Sequence, residues 1–184
     1  MMSQNACFIQ GRTLILVTIF SAALPGCHYA RYGDSLTIAK TASLSDASGV
    51  APAVRSECRL ETKLPEFLAE RSKKHFDNVT LADNVGQRSG GRTLSVKILH
   101  VLGAGGGVYS GPKSITINGV LRDTGKVVGS FTASEHLFVR PSPGTIYIGG
   151  GTCKMLNEVS KKLAVQLMRW MENPTMNAKL GDVK

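Results

Sequence analysis

Leu94, Val96 and Ile98 alternate with Thr93, Ser95 and Lys97, a period of two that predicts a half-buried strand. Ser114-Ile115-Thr116-Ile117 alternates in the same way, and Val79-Thr80-Leu81 gives a shorter strand signal. Asp123-Thr124-Gly125 separates the second run from Lys126-Val127-Val128-Gly129-Ser130-Phe131-Thr132, and a short Gly-containing link between two such runs predicts a hairpin. Two stretches have helical period instead. Leu64, Phe67, Leu68 and Phe76 fall near one face of a segment from Leu64 to Phe76, with Pro65 and Glu66 suited to a first turn and Lys73 and Lys74 to a last. Leu156, Val159, Leu163, Leu167 and Trp170 recur at spacings of three and four, while Lys154, Glu158, Lys161, Lys162 and Arg169 largely occupy the other face. Thr152 is placed to cap that helix and Pro174 to close it. Helix, three or four strands, helix predicts an α+β fold: a small antiparallel β-sheet of three to five strands with two helices packed on one face.

The first 26 residues have another character. They carry one charge, Arg12, and no acid, and Thr13 to Leu24 is an apolar run interrupted only by three hydroxyl residues. That run has the length of a secretory signal core and is too short for a stable bilayer span. It leads into Leu24-Pro25-Gly26-Cys27, which resembles the lipobox of bacterial lipoproteins; Pro25 stands where small or hydroxyl residues are usual. The resemblance implies lipid attachment at Cys27, cleavage before it and acylation of the new amine. Three acyl chains make such an anchor effectively permanent. His28 rather than Asp follows, which in enterobacterial lipoproteins implies sorting to the outer membrane. The competing reading is an ordinary signal cleaved near Ala23, with Cys27 an incidental thiol.

The expected organisation is therefore a cleaved lipoprotein signal peptide over 1–26 and a flexible tether over 27–55, with a short strand at Leu36-Thr37-Ile38-Ala39. An α+β sandwich domain follows over 56–175, and a disordered tail over 176–184. The chain has 184 residues and a net charge of +9. Removing 1–26 takes away one of 22 basic side chains and none of 13 acidic ones, leaving 158 residues and a balance of +8. Of four Cys, Cys7 leaves with the signal and Cys27 carries lipid, so Cys58 and Cys153 remain. In an oxidising compartment they are candidates for a disulfide that would staple both helix starts together. The alternative, a reactive thiol at either position, lacks a Cys-x-x-Cys.

Composition narrows the function classes. The chain is 42% hydrophobic and has no second long apolar run, which excludes a polytopic helical membrane protein. Aromatic content is 6%, against aromatic-lined sugar grooves and stacking platforms. Gly103 to Ser114 is Gly-rich, but Pro112 precedes Lys113 where a phosphate loop needs Gly-Lys-Ser/Thr, and Val108 replaces the third Gly of a dinucleotide fingerprint. Ser110 sits one place too late for a nucleophile elbow. His75, His100 and His136 are scattered, without metal-ligand spacing. Glu66 and Glu70 read as a solvated helix face rather than a catalytic carboxylate pair. The basic residues form only small clusters, Lys73-Lys74, Lys161-Lys162 and Arg88 with Arg92, and no nucleic-acid motif accompanies them.

Thr41 to Ser48, Cys58 to Lys63, Leu102 to Gly107, Ser110 to Ser114 and Leu121 to Ser134 resemble small proteobacterial lipoproteins of unknown function. That resemblance implies an envelope location and transfers no catalytic residue. The reading is a lipid-anchored outer-membrane lipoprotein facing the periplasm or cell surface, a non-enzymatic binding or assembly module. No catalytic, cofactor-binding or metal-ligating residue is assigned. The expected partners are the membrane through the N-terminal acyl chains, and an envelope protein, lipopolysaccharide or cell-wall polymer, with no nucleic acid. Rival readings are a small envelope hydrolase whose site assembles only on folding, and an accessory subunit of a secretion or surface assembly.

Overall fold

The computed structural model describes residues 33–83, 85, 91–103, 111–138 and 151–183. The chain enters as strand β1 (Gly33–Ala39) and a two-residue β2 (Ser43–Leu44), then forms helices α1 (Pro52–Cys58) and α2 (Leu60–Ser72). Strands β3 (Phe76–Ala82), β4 (Arg92–Leu102), β5 (Lys113–Asp123) and β6 (Lys126–Leu137) follow, then α3 (Thr152–Glu172) and β7 (Ala178–Gly181). The strands form one sheet in the order β3-β1-β4-β5-β6-β7, with β2 also on β4.

Local chemistry explains the boundaries. Arg59 takes a left-handed conformation (φ 49°) that breaks the chain between α1 and α2. Pro65 lies inside α2 and has no N–H for the carbonyl of Glu61, four residues back. That carbonyl accepts instead from the Ala42 N–H (2.8 Å), which ties the helix to the end of β1. Between β5 and β6 the turn residues Thr124 and Gly125 both have positive φ (47° and 82°), the geometry that matches the right-handed twist of a hairpin.

The core lies between the sheet and the helices. Leu36, Leu94, Ile98, Ile117 and Leu121 pack under Leu64 and Leu68 of α2 and Leu156, Leu163 and Leu167 of α3, all essentially inaccessible to solvent. Trp170 meets Phe131 edge-on at 5.0 Å between ring centroids. Gly129 makes this possible, because a Cβ there would lie 2.6 Å from the Trp170 ring and 2.9 Å from Pro174. Lys113, at the start of β5, is fully buried, and burial pushes its pKa below the ordinary lysine value.

The expected small antiparallel sheet of three to five strands with two helices is corrected by this architecture. The sheet has seven strands and is mixed, and there are three helices among the described residues. β1 runs parallel to both β3 and β4, because α1 and α2 carry the chain back before β3 begins. α3 does the same between β6 and its parallel neighbour β7. β1 contains the short strand expected at Leu36 to Ala39 and begins three residues earlier, β2 lies in the same stretch expected as a tether, and β7 lies in the stretch expected as a disordered tail. Their local signals are weak because each strand contributes few apolar side chains and is held by partners far away in sequence. The first long helix also differs in phase: it starts at Leu60 and ends at Ser72, and Phe76 begins β3.

Candidate functional site

The helices cover one face of the sheet, and the alternating residues of the strands point to the other. The register places Ser43, Lys97, Asn118, Thr132 and Lys179 opposite one another, in a single row across β2, β4, β5, β6 and β7. A second row, Ser95, Val120 and Ser130, lies beside it. These side chains line a shallow trough of about 610 Å³. Its described lining contains two lysines, several hydroxyls and amides, and no carboxylate. Lys97 and Lys179 are three strand spacings apart, roughly 14 Å at the usual inter-strand distance.

Hydrogen bonds fix one wall of the trough. The Asn177 N–H donates to Ser130 Oγ (2.8 Å), and Ser130 Oγ donates to Asn177 Oδ1 (3.2 Å). The Ser130 N–H donates to the carbonyl of Thr175 (3.1 Å), so the α3–β7 connection is held against β6. Further along the same face Thr116 and Ser134 share a hydroxyl hydrogen bond (3.0 Å), and His136 pairs with Asp182. Chemically the trough offers fixed hydrogen-bonding groups and spaced ammonium groups. Its described lining holds no paired acid and base that would perform hydrolysis.

The structure joins Cys58 to Cys153 by a disulfide between the end of α1 and the first turn of α3. Cys27, the lipobox Leu24 to Cys27, Arg88, and residues 104–110 of the Gly-rich stretch lie outside the described residues. His75, His100 and His136 fall at three separate places: the α2–β3 junction, the end of β4 and the end of β6. Among the described residues, no three His, Cys, Asp or Glu side chains group closely enough to hold a metal ion. Glu66 pairs with Lys63 one turn away (2.6 Å), as a solvated helix face does. No helix among the described residues is long and apolar enough to cross a membrane. The row through Lys97 and Lys179 escapes sequence reading, because its members come from five strands; the only local trace is the polar half of each alternation.

No family model matches this chain. No curated protein matches it either. Solved structures do. A point variant of the PelC dodecamer from Paraburkholderia phytofirmans is 14% identical, with a TM-score of 0.52 covering 77% of this chain and 91% of that one. A DUF330 protein from Xanthomonas campestris is 14% identical (TM-score 0.44, 80% and 89% covered). A minor lipoprotein from Acinetobacter baumannii is 15% identical (TM-score 0.40, 78% and 93% covered). At these identities the first of them establishes a shared fold.

Proposed function

We propose that this chain is an exported lipoprotein, acylated at Cys27 and held at the outer membrane, whose open sheet face binds an anionic polymer of the cell envelope without chemically altering it. The observation that carries the binding role is the row Lys97, Asn118, Thr132 and Lys179. Two cations at the ends of a strip of amide and hydroxyl donors suit a chain with repeated negative groups. A compact neutral sugar would instead call for an aromatic platform. The anchor is supported by the Leu24-Pro25-Gly26-Cys27 sequence, and is tested by labelling cells with a fatty-acid analogue. A membrane-held Cys27→Ala form would refute it.

Binding is tested by cosedimentation or titration with lipopolysaccharide and with isolated cell-wall polymer, using neutral dextran as control. Lys97→Glu combined with Lys179→Glu is expected to weaken binding about tenfold, the equivalent of two modest surface charge contacts. Unchanged binding by that variant, or equal binding of dextran, refutes the reading.

Self-assembly is a second reading. The Paraburkholderia neighbour is a dodecamer, and edge strand β3 of this chain carries Leu81 at 39% exposure. Native mass spectrometry tests this, and a single-copy mass refutes it.

A further inference from the structure

The end of the sheet where β1 begins brings together residues of the α2–β3 link, the β5–β6 hairpin and the last turn of α3. Gly33 of β1 lies opposite Phe76 of β3, just beyond the C-terminus of α2. Leu36 lies opposite Arg92, Arg92 opposite Asp123, and Asp123 opposite Lys126 across the hairpin. An Arg92 guanidinium N–H reaches the Met171 carbonyl (3.5 Å), which brings the last turn of α3 to the same end. This end therefore collects Lys73 and Lys74 from the α2–β3 link, Arg122 and Lys126 from the hairpin, and Arg169 from α3.

Four of these cations are exposed and Arg122 is half-buried. None of the five is held in an ion pair among the described residues. The acids at this end are Asp34 of β1, Asp77, Asp123 and Glu172, fewer than the basic side chains, and Asp123 is held by Arg92 (3.4 Å). Glu70 and Arg71, in the last turn of α2, offset one another. Val127, 45% exposed beside Lys126, adds an apolar contact. At the opposite end Arg55 pairs with Glu61, Lys113 is buried, and the exposed Lys40, Arg59 and Lys154 lie among Asp46, Glu57 and Asp83.

Only five residues, 28–32, separate Cys27 from Gly33. Even fully extended they reach about 20 Å, so an acyl group on Cys27 would hold the β1 entry end close to the bilayer surface. We infer that this basic end, Lys73, Lys74, Arg122, Lys126 and Arg169, docks on the anionic headgroups of the membrane that holds the anchor. The protein would then stand with β1 entering from the lipid and the disulfide-bearing end outward. The inference rests on acylation of Cys27. It adds an orientation that a long tether would not impose, because an anionic leaflet attracts each nearby cation within a Debye length.

The test is amide hydrogen exchange on the acylated protein reconstituted into vesicles of phosphatidylethanolamine with phosphatidylglycerol, against vesicles of phosphatidylcholine alone. Amides of 73–75 and 123–126 are expected to exchange about tenfold slower on the anionic vesicles, each cation adding roughly a fivefold preference before mutual screening. Sodium chloride at about 0.5 M should abolish the difference in the unaltered protein. A variant carrying Lys73→Glu, Lys74→Glu, Lys126→Glu and Arg169→Glu should lose it while staying in the membrane fraction. Equal exchange on both vesicles, protection that survives salt, or protection centred on Leu102 and Phe138 overturns the docking. The mass of the N-terminal peptide separates the two claims. A lipid-free peptide removes the anchor and the docking together, whereas a lipidated peptide without protection removes the docking alone.

Discussion

Removing the Cys58–Cys153 bridge is the perturbation whose size follows most directly from the structure. The two Cα atoms are 4.9 Å apart and 95 residues apart in sequence, so the bond closes a loop that contains α2 and strands β3 to β6. In the chain-entropy model a loop of this length restricts the unfolded ensemble by roughly 4–5 kcal/mol at 25 °C. That is a large fraction of the ~5–15 kcal/mol of an ordinary domain. For about 150 folded residues, each kcal/mol moves the melting temperature by roughly 2–4 °C, so a Cys58→Ala, Cys153→Ala variant should melt roughly 10–15 °C lower. Cys58 is buried, but truncation to Ala removes a single sulfur atom, so the added packing loss is small beside the loop term. Differential scanning calorimetry under non-reducing conditions measures the shift. Urea titration of the same pair should give a larger m-value for the variant, because its unfolded chain is no longer cross-linked. A shift under about 3 °C with an unchanged m-value would show that the bridge does not constrain the unfolded chain as argued.

Two further perturbations follow from named contacts. Gly129→Val pushes a branched side chain into the Trp170 ring and Pro174, and should cost about 1–3 kcal/mol by urea denaturation; a loss under about 0.5 kcal/mol would mean that the ring moves freely. Lys113 has a folded-state pKa below its unfolded value because burial disfavours the charged form, so over that window the unfolded chain binds more protons. Stability should therefore rise as pH increases through the lowered pKa towards the ordinary lysine value. Lys113→Met should remove that slope in urea midpoints measured from pH 8 upward, and a steeper slope in the variant would contradict the argument.

Much of the framework is legible in the residues. The alternation of Leu94, Val96 and Ile98, the turn at Asp123-Thr124-Gly125 and the stripe from Leu156 to Trp170 each predict an element that forms. These signals are local: period, turn chemistry and an apolar stripe long enough to be read without knowing the partner. β7 is not legible in this way, and β1 only in part, as the short strand expected at Leu36 to Ala39. Leu36 and Ile38 are only two apolar positions among Ser, Thr and Ala, yet they become fully buried because β3 and β4 close around them from sequence positions 40 and more residues away. β7 has no stripe of its own and exists as a strand because α3 returns the chain parallel to β6.

The division of information has a physical cause. Residue order alone determined the elements with strong local periodicity, the Leu24 to Cys27 resemblance, and Cys58 with Cys153 as a candidate pair. Tertiary structure alone decided the seven-stranded mixed sheet, the row joining Lys97 to Lys179 across four strands, and the gathering of Lys73, Lys74, Arg122, Lys126 and Arg169 at the end where β1 enters. Strand neighbours and shared ends depend on chain reversals and non-local hydrogen bonding, and no window of consecutive residues contains that information.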